Sequence, residues 1–431
     1  MFRVPCAGSV GRLLVGRAVH APFLCERPRG QAGAVTGNVR ACAVSMPSRV
    51  VGADPVTDER VVLLIRSLDV GGAERQVVEL AIGLHRRGVP VAVLTFYDGG
   101  ALATDLERAG VRRCSAGKGG RWDAVRFTFR LGRLLRQLRP SVVYSFLSTA
   151  NLLAVLLKPV IPGTRLVWGL RASNMDLARY DWLARLTYRV EPALAMFSDR
   201  IIANSEAGRR HAAAQGFPEA KLFVVPNGID TARFQYDEEG RRRVRAEWGV
   251  HDGERLVGLV ARIDPMKDHP NFIKAASLVS RDHPEALFVC IGGGAPEARR
   301  SLQDLASQLK PPPKVLWCGQ RSDMPAVFSA LDVACSASAF GEGFSNAVAE
   351  AMACGVPCAG TDVGDTASVI GDTGMIVPPS SPNELAVGIA RLLSQQPSAF
   401  RELQFKARQR VIDLFSVEAL VRRTRASWTN L

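Results

Sequence analysis

Val61-Val62-Leu63-Leu64-Ile65, followed by Gly71-Gly72 and then by Ala73 to Arg87 with apolar residues at helical spacing, decides how the whole chain reads. Five consecutive apolar residues without alternation describe a strand buried on both faces, and such strands belong to parallel sheets. The same alternation continues. Val89 to Phe96, Val142 to Ser145, Arg165 to Trp168, Arg200 to Ala203 and Leu222 to Val225 read as further strands separated by helix-length segments. The chain turns highly charged from Phe234 to Asp252, and a fresh apolar run begins at Leu256-Val257-Gly258-Leu259-Val260. Strands near Leu287 to Ile291, Lys314 to Cys318, Val333 to Ser336 and Val356 to Ala359 repeat the pattern. The expectation is an α/β protein of two doubly wound, Rossmann-like parallel-sheet domains, with ligands beyond the carboxyl ends of the strands, where two such edges face across a cleft.

The expected boundaries are an extension at 1–58, a first domain at 59–233, a hinge at 234–253, a second domain at 254–396 and closing helices at 397–431 that pack back across the hinge. A length of 431 residues exceeds what one core usually accommodates, and 47% apolar residues permit two. Seven arginines face the single acid Glu26 before position 50. That composition fits a presequence superficially; the preferred reading is a disordered extension, or an overcalled start codon with Met46 as the true start. The nine cysteines are odd in number and scattered, which points to free thiols in a reducing cytoplasm. No run approaches the roughly 18 apolar residues of a membrane span; the nearest, Asn151 to Leu157, stops at Lys158.

The chemistry concentrates in Phe340-Gly341-Glu342-Gly343-Phe344-Ser345-Asn346-Ala347-Val348-Ala349-Glu350. A glycine-flanked loop opening a helix leaves free backbone N–H groups near Phe344 to Ala347, and these suit a phosphate. Glu342 lies before that point and Glu350 about two turns along, so the two carboxylates can accept from hydroxyls at opposite ends of one diphosphate ligand. Two glutamates alone would equally describe a glycine turn and a charged surface helix.

At this segment the sequence resembles the retaining glycosyltransferases of family 4, which have the GT-B fold and share a motif of two glutamates with seven residues between them, the positions of Glu342 and Glu350. The resemblance extends to Gly71-Gly72-Ala73-Glu74, to Val225-Pro226-Asn227-Gly228-Ile229-Asp230, to Ala261-Arg262-Ile263 with Lys267, and to Gly292-Gly293-Gly294-Ala295-Pro296, spanning about 60 to 395. It implies that Arg262 and Lys267 stabilise the charge left on the departing diphosphate, in place of a metal ion. It also implies that Glu342 contacts the sugar, that Gly72 lets the first-domain loop approach the ligand, and that Gly343, Phe344, Ser345, Asn346, Glu350 and Arg321 complete the nucleotide-sugar site. The implied donor is a UDP- or GDP-sugar with no further cofactor and no metal. The implied acceptor is a saccharide or polyprenyl-linked saccharide of a surface polysaccharide or lipopolysaccharide. Asn227 and Asp230 are read as shaping the hinge turn. Two departures stand out: no His occurs in Tyr144 to Asn151, where relatives often carry one, and Ser368 stands where a Glu is commoner. No general base is therefore named.

The net charge of +14 does not by itself choose among nucleic acid, anionic lipid and diphosphate. Nucleic acid is disfavoured because no aromatic-basic recognition module occurs, and dehydrogenase chemistry because Gly71-Gly72 lacks the G-x-G-x-x-G spacing. Arg126, Arg130, Arg133 and Arg136 alternate with Phe127, Phe129 and leucines, as on a helix that rests peripherally on the inner face of the cell membrane, or on an ordinary solvated helix. A nucleotide-sugar epimerase of the same fold and a non-catalytic relative are the alternative functions.

Overall fold

The computed structural model describes residues 59–120, 123–171 and 189–429, and the extension expected at 1–58 lies outside them. Among the described residues the chain forms two parallel sheets. The first has the order β3-β2-β1-β4-β5-β6-β7, with β1 Val61–Ile65, β2 Val91–Thr95, β3 Arg112–Ser115, β4 Val142–Phe146, β5 Arg165–Leu170, β6 Arg200–Ala203 and β7 Leu222–Val224. The second has the order β10-β9-β8-β11-β12-β13, with β8 Arg255–Val260, β9 Ala286–Ile291, β10 Val315–Gly319, β11 Val333–Ser336, β12 Cys358–Thr361 and β13 Gly374–Val377.

Strand direction in each sheet follows from burial. Every residue of β1, β2 and β4 is buried, so both faces must be covered, and the helices between strands cover them. In the first half these helices are α1 Gly72–Arg86, α2 Ala103–Arg108, α3 Ala124–Leu138, α4 Ser148–Leu156 and α5 Glu206–Ala214. In the second half they are α6 Glu238–Glu247, α7 His269–Asp282, α8 Pro296–Gln308, α9 Met324–Ala330, α10 Asn346–Ala353, α11 Thr366–Ile370 and α12 Pro382–Leu393, and the chain closes with α13 Pro397–Phe415 and α14 Val417–Thr429.

Three features differ from the sequence reading. Strands β3 and β13 carry no sustained apolar run: β3 reads Arg-Arg-Cys-Ser at a sheet edge, and β13 begins at Gly374. Residues 234–253, expected as a hinge, belong to the second lobe. Their charges are spent on Asp332, which accepts from Arg241 at 2.9 Å and Arg245 at 3.1 Å, while Phe234, Val244 and Val250 enter that lobe's core.

The crossing between lobes sits earlier, at Ile229, where it meets the returning chain: the Ile229 amide donates to the Phe415 carbonyl at 2.7 Å, and the Val417 amide donates back to the Ile229 carbonyl at 3.1 Å. Beyond that point α14 lies on the first lobe. Leu420, Val421 and Trp428 join its core, and Gly83 of α1 leaves room for Val417 and Val421. Arg408 holds the same corner by donating to the carbonyls of Thr231 and Phe234.

Strand order reverses between β1 and β4 and again between β8 and β11. Crevices open at such switch points, beyond the strand carboxyl ends. The loops that leave β1, β8 and β11 there carry Gly71-Gly72, Arg262 with Lys267, and Glu342.

Candidate functional site in the interlobe cleft

Two short turns fix the cation that the sequence placed after β8. Asp264 accepts from the Met266 amide at 2.9 Å and opens the single turn Pro265–Lys267, and Asp268, at φ +43°, caps α7 through the Asn271 amide. The Ala339 amide donates to the Met266 carbonyl at 2.9 Å, which ties this turn to the loop after β11. Lys267 Nζ therefore meets Glu342 Oε1 in an ion pair, and Ser338 donates to the same oxygen at 2.6 Å. Glu342 is buried and Lys267 is partly so. Arg262, in the same loop, is exposed and forms no ion pair with a described residue.

The helix starts complete the arrangement. The N-cap of α10 is Ser345, whose side chain makes no capping bond, and that of α1 is Gly71, which has no side chain to offer. First-turn amides at both ends are thus left without side-chain acceptors. The two helices lie side by side: a Cβ on Gly72 would sit 3.5 Å from Asn346 Nδ2, and one turn further along Arg75 donates to Glu350 Oε1 at 3.2 Å. Both positive helix ends consequently open on one place. Burial pushes the Glu350 carboxyl up, and the guanidiniums of Arg75 and Arg233 oppose that shift.

The cleft thus brings together Gly72, Lys267, Glu342, Gly343, Ser345, Asn346 and Glu350. Phe344 is close by but turned inward, edge-on to Phe415 with ring centroids 5.3 Å apart, so it anchors the loop to α13. Arg321 is engaged elsewhere: its guanidinium pairs with Glu247 and Asp323, which holds Asp323 down at about 2. Asp230 shapes its turn by accepting from the amides of Ala232 and Arg233, both at 3.0 Å. Asn227 does something else, reaching across the cleft to donate to Asn346 Oδ1 at 2.8 Å while accepting from Arg171 at 2.7 Å.

Sequence reasoning missed Arg75, Arg171, Asp365 and His269. His269, next to the Lys267 turn, is buried; desolvation and then Lys267 push it down to about 4, against the opposing pull of the Ala261 backbone and Asp264, so the imidazole is neutral. Gly364 could have been found. It sits at φ +63°, and a Cβ there would lie 2.3 Å from the Glu342 carbonyl oxygen, so only glycine lets that turn cover the Glu342 loop.

Comparison with known proteins matches this layout lobe by lobe. The model of Glycosyltransferase Family 4 covers residues 70–233 and that of Glycosyl transferases group 1 covers residues 240–410. The chain belongs to this glycosyltransferase family. The D-inositol 3-phosphate glycosyltransferase of Nocardia farcinica is 31% identical over 199 residues, 42% of each chain. That of Kineococcus radiotolerans is 28% identical over 369 residues, 75% of this chain and 83% of the relative. The GDP-mannose-dependent alpha-(1-6)-phosphatidylinositol monomannoside mannosyltransferase of Mycolicibacterium smegmatis is 32% identical over 195 residues, 43% of this chain and 50% of the relative. The matched stretches thus span about half the length of the Nocardia and Mycolicibacterium relatives. Among solved structures, Anabaena Alr3699/HepE in complex with UDP aligns at a TM-score of 0.75 with 20% identity, over 86% of this chain and all of that one. The apo lipopolysaccharide outer core galactosyltransferase WaaB aligns at 0.63 with 16% identity, again over 86% and 100%. These likenesses establish the GT-B fold for this family member.

Proposed function

We propose that the chain transfers a hexose or N-acetylhexosamine, with retention and without a metal ion, from a UDP- or GDP-sugar to a saccharide acceptor. The observation that carries this reading is the meeting of two uncapped helix starts, Gly72 and Asn346, beside the Lys267–Glu342 pair, with Arg262 read as a second cation from the same loop as Lys267. Rupture of the bond between the sugar and the β-phosphate leaves charge on the phosphate. Preorganised cations and amides stabilise that charge in the transition state more than in the ground state. Glu342, paired with Lys267, is held to accept from sugar hydroxyls, and Glu350 to accept from the ribose. As the anomeric carbon forms its bond to the acceptor oxygen on the face the diphosphate leaves, the acceptor proton passes to a β-phosphate oxygen. No protein base is required, which accords with the absence of His in Tyr144 to Asn151.

The relatives' names span donors and acceptors: one is GDP-mannose-dependent, several act on D-inositol 3-phosphate, and Alr3699/HepE holds UDP. The acceptor is accordingly read as a polyhydroxylated ring, free, phosphorylated or lipid-linked, with surface polysaccharide as the favoured product. No helix among the described residues is long and apolar enough to cross a membrane. Peripheral contact through α3, which exposes Phe129 and Val125, is part of the proposal.

The test is hydrolysis and transfer across a panel of UDP- and GDP-sugars with inositol phosphate and lipid-linked saccharides, with and without EDTA. Transfer that survives EDTA and falls at least a hundredfold in Arg262→Ala supports the reading. Dependence on a divalent ion, or donor turnover to an epimer without an acceptor, overturns it.

A further inference from the structure

Both carboxylate oxygens of Asp365, in the second lobe, are taken by backbone amides of the first. Its Oδ2 accepts from the Glu206 amide at 2.7 Å and its Oδ1 from the Ala207 amide at 2.9 Å. These are opening amides of α5, a nine-residue helix whose own cap, Ser205, reaches only the Gly208 amide, at 2.9 Å. The α5 start is thus capped twice, once from its own lobe and once from across the cleft. An anionic side chain on free helix-start amides makes strong, charge-assisted bonds.

The other side of Asp365 faces the donor loop. Its own amide donates to the Gly343 carbonyl at 3.0 Å, and Gly364 before it is wrapped against the Glu342 carbonyl. Gly343 in turn lies against the first lobe, where a Cβ would come within 3.0 Å of Asn204 Oδ1 and 3.1 Å of Ser205 Oγ. One residue therefore touches, by backbone, the loop that carries Glu342 and, by side chain, the opposite lobe.

We propose that Asp365 is a positioning residue that couples lobe closure to the order of the Gly341 to Ser345 loop. With the lobes together, the α5 start holds Asp365, Asp365 holds the Gly343 carbonyl, and Glu342 is presented to Lys267. When the lobes part, the α5 amides withdraw, and the loop loses the anchor that fixes it. The inference rests on the proposed donor site for its catalytic consequence, but not for its structural one.

Hydrogen–deuterium exchange on the full chain separates the two. Asp365→Ala is expected to raise exchange at least fivefold in peptides covering 341–346 as well as 205–208. Ser205→Ala, which removes the within-lobe cap, is expected to raise exchange in 205–208 alone. Glu206→Pro provides the same test from the first lobe. Proline is favoured at a first helical position, and Ser205 before it already has the extended backbone (φ −157°, ψ 154°) that a following proline requires. That variant keeps α5 while deleting the 2.7 Å bond, and it too is expected to loosen 341–346. In steady state, Asp365→Ala and Glu206→Pro should raise the donor KM about tenfold and change kcat less. Unchanged exchange over 341–346 in both variants overturns the coupling, whatever the enzyme transfers. Altered exchange in a protein that turns over no nucleotide sugar leaves the coupling standing and refutes the function instead.

Discussion

Lys267 and Glu342 form an ion pair in the cleft, so a loss of function on removing Lys267 has two explanations that a double substitution separates. Glu342 keeps only 8% side-chain exposure, against 22% for Lys267. Lys267→Met takes the ammonium from a nearly buried carboxylate that keeps the Ser338 hydroxyl, which costs about 2–4 kcal/mol of stability, at and below the lower end for broken buried pairs because the lysine is partly wet. Glu342→Gln leaves a lysine that still reaches water, and costs about 1 kcal/mol. With both changes no charge is buried, and stability should return to within about 1 kcal/mol of the parent. Binding of nucleoside diphosphate should behave differently. If Lys267 donates to a phosphate oxygen, its loss lowers UDP or GDP affinity about 10- to 100-fold, and Glu342→Gln does not restore it. Glu342→Gln alone should bind diphosphate as well as the parent or better, because the lysine is no longer shared. Calorimetric titration of the four proteins, with their melting temperatures alongside, decides the matter. A double variant that recovers both stability and full diphosphate affinity would show that Lys267 only neutralises Glu342.

Glu79 on α1 is raised from its ordinary 4.5 to about 7, first by burial and then by Asp230, against the pull of Arg233, Arg75 and Arg86. A carboxyl raised in the folded state contributes stability that is fully present below about pH 4.5 and lost as pH climbs through about 7. Glu79→Gln should therefore match the parent at pH 4.5 and exceed it by about 3 kcal/mol at pH 8, and parallel pH–stability curves would contradict this. Arg321→Ala should leave transfer rates within about twofold, since its guanidinium is committed to Glu247 and Asp323. The depressed Asp323 supplies stability above about pH 4 that is lost as pH falls toward about 2, so the variant's acid-unfolding curve should be shallower than the parent's over that interval. Gly83→Leu should push Val417 and Val421 off α1 and lower the melting temperature of the first lobe, measurable by calorimetry, without altering diphosphate affinity.

How far the sequence reaches depends on the range of the interaction involved. Buried central strands announce themselves, because β1 and β8 are surrounded by covered neighbours and tolerate little but apolar residues. Edge strands do not: among the described strands Arg112–Ser115 pairs with β2 at the end of its sheet, and its side chains need no apolar pattern. Of the residues proposed for the site, Gly71-Gly72, Glu342 and Glu350 are picked out by glycine spacing and helix onset, and the family resemblance adds Arg262 and Lys267. Arg75 against Glu350, Asn227 against Asn346 and Asp365 against α5 join residues 275, 119 and 159 positions apart. No local pattern encodes such meetings; they exist only once two separately folded sheets have come together. The stretch 234–253 misled for a related reason, since Arg241 and Arg245 look like linker charges until Asp332 is brought beside them.

The bridge between Ile229 and Ser416 has a mechanical consequence. Two polypeptide segments, running alongside each other and hydrogen-bonded together, connect the halves of the molecule, and paired tethers resist twisting while permitting flexion about a shared line. Flexion about that one line keeps Gly72 facing Asn346 and Arg75 facing Glu350 in a single register, with no search among rotations.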